Sequence, residues 1–380
     1  MYPRFLQFTM PKVGQAAMAA ALYFYFYHIP LFALLQDRPV LRLLAALAAV
    51  AGISRASRDP LGPGMVAAGY FTALCYLSWG AELLCGAWGG GAAAVYRVLS
   101  LWGLAPVLVT AVILLLARRR ARKLCVTTYR LTTRKPLPGG RLRVVQLSDL
   151  HPNPAAALHS GRIEELRRKV EDARPDLLVL TGDVFDEYTP RAEFETFTAL
   201  FGQLHAPLGK FFVYGNHDVF SLHHAPSFTR QELEQRLAAA GVTVLQDREA
   251  LPDARLRVVG RKDYLFTGGR RLPAQQLCRP DDVYTVWLDH EPRELKKAAA
   301  AGADLILCGH THGGQIWPGG VAGRMVHNEM NYGLRRIGET AAITSGGTGT
   351  WGYRLRTQGR TELVCVEVES VSPAAGSTKN

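Results

Sequence analysis

At 380 residues, with 48% hydrophobic and 20% charged side chains and a mean hydropathy of +0.02, the chain exceeds one small domain and is unusually apolar for its charge. A formal net charge of +12 suits nucleic acid, anionic lipid or an anionic substrate, but no stretch resembles a nucleic-acid module, so no nucleic acid is expected. Six cysteines, at 75, 85, 125, 278, 308 and 365, form no close pair and no metal-knuckle spacing, which excludes a disulfide scaffold and points to buried, reduced thiols.

Taken in chain order, the first feature is a region poor in charge from Val13 to Ala117. Val13–Leu35 and Val98–Ala117 carry no formal charge over 23 and 20 residues, long enough to cross a bilayer core. Met65–Trp88 is nearly as apolar, and Leu41–Ser54 is a shorter fourth run. Four spans would place both chain ends on one side. Arg4, Lys12, Arg55, Arg58 and the run Arg118–Lys123 would mark that side as cytoplasmic; three spans is the alternative. The expectation is therefore an all-α transmembrane region of about four helices over residues 1–123. A second domain over 124–370, facing the cytoplasm, and a disordered tail over 371–380 would follow it.

From about Cys125 short apolar runs alternate with amphipathic ones. "LRVVQLSD", "DLLVLTGD", "KFFVYGN", "VTVLQD", "LRVVG", "YTVWLDH", "DLILCGH", "AAITSGG" and "ELVCVEV" read as strands. "GRIEELRRKVEDA", "RAEFETFTALFGQL", "TRQELEQRLAAAG" and "EPRELKKAAAAG" place apolar residues at helical spacing. Strand–helix alternation predicts an α/β sheet, and the later helix-poor strands a second sheet facing the first.

Ligands in such folds gather at the carboxyl ends of strands. Five strand ends here deliver titratable or metal-ligating residues: Asp149 and His151; Asp183; Asn216, His217 and Asp218; His290; His310 and His312. Any one of them is absorbed by a helix cap, a turn or a satisfied core histidine. All five together point to a dinuclear metal cage. Mixed nitrogen and oxygen donors suit two divalent ions of Mn, Fe or Zn better than Ca or Mg.

The stretches "SDLH", "TGDVFD", "YGNHD", "LDHEP" and "CGHTHGGQ", in that order, resemble the calcineurin-like metallophosphoesterase superfamily. "TSGGTGTWGYRLRTQGRTELVCVEV" is similar to the closing stretch of its membrane-anchored bacterial phosphoesterase subfamily. The resemblance implies a four-layer αββα sandwich and two divalent metals, one held by Asp149, His151 and His312, the other by Asn216, His290 and His310, with Asp183 bridging. It also implies catalysis by His217 with Asp218 behind it, and a multi-pass bacterial inner-membrane protein. "LHPNP" departs from the family's first loop at Pro152 and Asn153.

The function so implied is hydrolysis of a phosphodiester or pyrophosphate bond in a nucleotide or lipid-linked substrate, UDP-2,3-diacylglucosamine of lipid A synthesis being one option. Membrane lipids are then further partners. The rival is a catalytically inactive metal-binding membrane scaffold or lipid sensor, which typically lacks a ligand. Arg354 and Arg356 read as surface arginines on a strand edge, and Asp263 has no assigned role. His159, His205, His223, His224 and His327 read as loop or surface residues, with His223–His224 a lid candidate.

Overall fold

Runs such as Leu177–Thr181 and Leu305–Cys308 offer no polar face to water, and they become inner strands buried on both sides. In the computed structural model the described residues are 4–28, 32–56, 63–100, 104–154, 158–218, 227–321, 328–352 and 354–371. His223, His224, His327 and most of the expected tail lie outside them. The chain divides into two compact units, one of Met1–Arg119 with Gly352–Thr357, the other of Arg120–Trp351 with Gln358–Asn380.

The first unit holds α1 (Arg4–His28), α2 (Ala33–Gln36), α3 (Pro39–Ala56), α4 (Pro63–Ala87), α5 (Gly90–Leu99) and most of α6 (Ala105–Arg122). Ala19, Leu22, Tyr25 and Phe26 of α1 pack against Ala46 and Val50 of α3 and Cys75 of α4. Tyr76 Oη donates to Ala21 O at 2.8 Å, and His28 stacks on Trp79 with centroids 4.3 Å apart.

This unit corrects the expected transmembrane region: among the described residues no helix is long and apolar enough to cross a membrane. The apolar windows of the sequence do not coincide with helices. Val13–Leu35 overruns the end of α1 at His28, and Val98–Ala117 straddles the end of α5 and the start of α6. In α6 the apolar part is followed directly by Arg118, Arg119, Arg120 and Arg122. Arg42 interrupts α3, and Gly69, Tyr70, Ser78, Trp79, Gly80 and Glu82 dilute α4. A multi-pass inner-membrane location with a cytoplasm-facing catalytic domain falls with those spans.

The second unit runs β1 (Leu124–Thr133), β2 (Arg141–Leu147), α7 (Ile163–Ala173), β3 (Leu177–Thr181), α8 (Arg191–Gln203), β4 (Lys210–Val213), α9 (Arg230–Ala239), β5 (Val242–Val244), β6 (Arg248–Asp253) and β7 (Leu256–Gly260). It continues with α10 (Tyr264–Thr267), α11 (Ala274–Leu277), β8 (Tyr284–Leu288), α12 (Leu295–Ala300), β9 (Leu305–Cys308), β10 (Gly333–Ile337), β11 (Thr340–Thr344) and β12 (Thr361–Ser370).

Among the described residues two six-stranded sheets result, ordered β1-β12-β2-β3-β4-β5 and β10-β11-β9-β8-β7-β6. The strands β2-β3-β4-β5 and β7-β8-β9 are mutually parallel. The two sheets share one apolar core, in which Val144, Val179 and Val213 meet Val258, Val286 and Leu307. Helices α7, α8 and α9 cover the outer face of the first sheet through Leu166, Phe197 and Leu237. Helices α11 and α12 cover the second through Leu277, Leu295 and Ala298. Each fully buried side chain of this kind contributes roughly 1.5–3 kcal/mol. The packing leaves the carboxyl ends of β2, β3, β4, β7, β8 and β9 to carry the polar residues that follow them.

Candidate metal centre

Every sequence-predicted site residue lies within a few positions of one of those strand ends, and most of them converge. Asp149, His151 and His312 bring three ligand atoms within 4.8 Å of one another, and Asp183, His290 and His310 do the same. Asp183 faces both groups: its Oδ2 is 3.0 Å from His290 Nε2 and 3.8 Å from His151 Nε2. Asn216 Oδ1 lies 3.0 Å from His310 Nδ1, and His312 Nε2 lies 3.5 Å from Asp149 Oδ1.

The local backbone is shaped for this convergence. Nine non-glycine residues have positive φ among those described, and five of them are Asp149, His151, Asp183, His310 and His312. Such conformations cost free energy and persist where the surroundings demand them. Glycine does the complementary work beside Asp183. A Cβ on Gly215 would collide with Asp183 Oδ1, and one on Gly182, at φ 82°, with the His290 ring.

Hydrogen bonds behind the cluster fix which atom each ligand presents. His290 Nδ1 lies 2.9 Å from Thr181 O; a carbonyl only accepts, so Nδ1 carries the proton and Nε2 faces Asp183. His151 Nδ1 meets Asp186 Oδ2 at 3.1 Å, leaving a buried Nε2 with no hydrogen-bond partner among the described residues. Asp149 accepts from Ser148 Oγ at 2.6 Å and from His310 N at 2.9 Å.

His217, packed against His151 with ring centroids 5.3 Å apart, turns Nδ1 to Glu187 Oε2 at 3.2 Å. Asp218, expected behind that ring, instead accepts from the backbone N–H groups of Asp183, Phe185 and Gly215 at 2.6, 2.9 and 2.8 Å. It holds the turn that presents Asp183; Glu187 takes the place expected of Asp218.

Electrostatically the centre is unbalanced. Burial pushes the Asp149 carboxyl up, and burial with nearby Asp183 lifts Asp218 to about 7. Burial works against the His217 cation, yet Asp183 and Glu187 carry its pKa to about 9. Burial and neighbouring His290 push His310 down to about 3. Burial opposes a charged His290 too, but Asp183 raises it well above its ordinary value.

These observations fit divalent metal. The His290 and His310 nitrogens face each other at 3.3 Å, and Asp183 faces His290 at 3.0 Å. Lone pairs that close need a proton or a cation between them. His151 Nε2, 3.8 Å from Asp183 Oδ2 and otherwise unpartnered among the described residues, is a ligand atom in waiting.

Residues 142–314, which contain all of these side chains, match the calcineurin-like phosphoesterase family. The chain carries a calcineurin-like phosphoesterase domain. It is similar to an uncharacterized metallophosphoesterase of Aquifex aeolicus, 29% identical over 254 residues, 64% of this chain and 91% of that one. A Bos taurus transmembrane protein with metallophosphoesterase domain is 32% identical over 253 residues, 63% of this chain but only 55% of that protein. An uncharacterized metallophosphoesterase of Bacillus subtilis is 26% identical over 236 residues, 60% of this chain and 80% of that one.

The phosphoesterase domain is a hydrolase of phosphoric esters, and its two Asp/His clusters imply divalent metal. The match does not single out a membrane-anchored branch. Outside the centre, His159 caps a local turn by accepting from Gly161 N at 3.1 Å, and His205 is exposed. Arg356, expected at the surface, is fully buried.

Glu187 and Trp351 escaped the sequence reading. The second of two adjacent acids in "FDEY" was the only signal for Glu187. Trp351 stood alone in a glycine-rich stretch, and its ring lies 4.8 Å from that of His217.

Proposed function

We propose that residues 124–370 form the catalytic domain of a dinuclear metal phosphoesterase that hydrolyses a phosphodiester or pyrophosphate bond of a nucleotide or lipid-linked substrate. Asp149, His151 and His312 would hold one cation, Asn216, His290 and His310 the other, and Asp183 both. The observation that carries this reading is the position of Asp183, with Oδ2 turned to both clusters at once. The nitrogen–oxygen donor set favours Mn, Fe or Zn. When bound, such ions neutralise phosphoryl oxygens and make water nucleophilic at neutral pH.

The protein's own groups do the rest. Neutral Asn216 limits the negative charge of the ligand set, so the site keeps attraction for an anionic substrate. Asp218 holds the Asp183 turn by three backbone hydrogen bonds. Glu187 fixes His217 with Nε2 as the nitrogen left for the substrate. A water oxygen adds to phosphorus and gives up a proton to solvent, the bond to the leaving oxygen breaks, and the His217 proton passes to that oxygen, after which solvent reprotonates the ring.

Purified protein given bis-p-nitrophenyl phosphate and Mn²⁺ is expected to release nitrophenol. Asp183→Ala and His217→Ala should abolish release, and His159→Ala should leave it intact. Absence of turnover with every metal offered would favour the metal-binding scaffold instead.

A further inference from the structure

Trp351 is 37% exposed, although residues 346–350 immediately before it are buried. A large apolar ring left partly open beside a polar centre forgoes the burial that packing alone would favour. Its position is nonetheless enforced. The Gln315 carboxamide clasps its backbone from both sides, Nε2 donating to Trp351 O at 3.0 Å and Oε1 accepting from Trp351 N at 3.2 Å. Gln315 is three residues beyond His312, so the loop that carries a proposed metal ligand also sets the indole. The indole meets the His217 ring at 4.8 Å between centroids, with the planes 39° apart.

His217 is bounded by His151 on one side, by Glu187 at Nδ1 and by Trp351 on another. The leaving oxygen must come to this ring to receive its proton, which brings the group it carries next to the indole. An indole face offers no hydrogen bond to a phosphate or a polyol, but it stacks on planar rings of any sequence or substitution.

We propose that Trp351 is the specificity-determining wall for the leaving group, and that the substrate carries a planar ring there, a nucleobase or an aryl group. The inference rests on the hydrolase reading above and narrows it to substrates with such a ring on the side of His217.

The test compares P1,P2-diuridine pyrophosphate with P1,P2-dimethyl pyrophosphate, which share the scissile bond and differ in the base. Cleavage is followed by phosphorus NMR, with bis-p-nitrophenyl phosphate as the aryl arm. Trp351→Ala is expected to lower kcat/KM about tenfold or more on a ring-bearing substrate and less than about twofold on the dimethyl compound. Trp351→Phe should retain most of the activity. Loss on the diuridine compound identifies a nucleobase site; loss confined to the nitrophenyl ester identifies an aryl site.

Equal loss on all three substrates, or no loss on any, would overturn the proposal and reduce Trp351 to packing for His217. Quenching of tryptophan fluorescence by UMP or p-nitrophenyl phosphate, diminished in Trp351→Phe, gives a readout without turnover. Quenching in a protein that cleaves nothing would keep the wall and sink the hydrolase reading. Turnover with no dependence on the ring would do the reverse.

Discussion

In the cluster of Asp149, His151 and His312, the His151 imidazole is backed by a carboxylate, Asp186 Oδ2 at 3.1 Å. In that of Asp183, His290 and His310, the His290 imidazole is backed by a main-chain carbonyl, Thr181 O at 2.9 Å. A carboxylate behind an imidazole raises its basicity and can be changed by one substitution; a strand carbonyl belongs to the fold and cannot. The second cluster is stiffened further. Asp289, directly before His290, is paired to Arg271 at 2.9 Å, with both side chains 2% exposed, and Arg271 also reaches Glu294 at 3.0 Å. The first centre is thus adjustable through a side chain, while the second is bound up with the stability of the domain.

Arg271→Ala should strain that contrast most. It strands the buried Asp289 carboxylate, and a broken buried pair costs about 3–5 kcal/mol. Thermal unfolding should show the loss, which an apolar double replacement of Arg271 and Asp289 should largely restore. Asp186→Asn comes next. It should weaken one of two metal-binding steps about 10- to 100-fold in a calorimetric titration and leave the other and the melting temperature nearly unchanged. Weakening of both steps alike would dissolve the distinction between the clusters. Glu187→Gln is the mildest change, expected to lower kcat about tenfold by loosening His217 while metal content stays constant.

What was readable beforehand follows the same division between strand ends and everything else. "LVLTGD" and "LILCGHTH" each show an apolar run stopping at chemistry, so the positions of Asp183, His310 and His312 needed no tertiary information. Which carboxylate reaches which ring did need it. Asp186, Glu187 and Asp218 are near neighbours of site residues in sequence, and the turn after β3 decides that Asp186 serves His151 and Glu187 serves His217.

Edge strands were also hidden. In β10, "GLRRI", and β6, "REALPD", solvent-facing polar residues break the apolar pattern that marked the inner strands. The N-terminal region misled for a different reason. A hydropathy window averages across helix ends, and the ends of α1 and α5 fall inside the two uncharged apolar runs.

The central claim is that Asp183 draws the two clusters into one metal centre, and metal content tests it most directly. Protein saturated with Mn²⁺ or Zn²⁺ and then freed of loose ions should retain about two ions per chain by mass spectrometry, and Asp183→Ala should retain markedly fewer. A folded wild-type protein that stays empty with every metal supplied, or an Asp183→Ala variant that binds as much as the parent, would contradict the account.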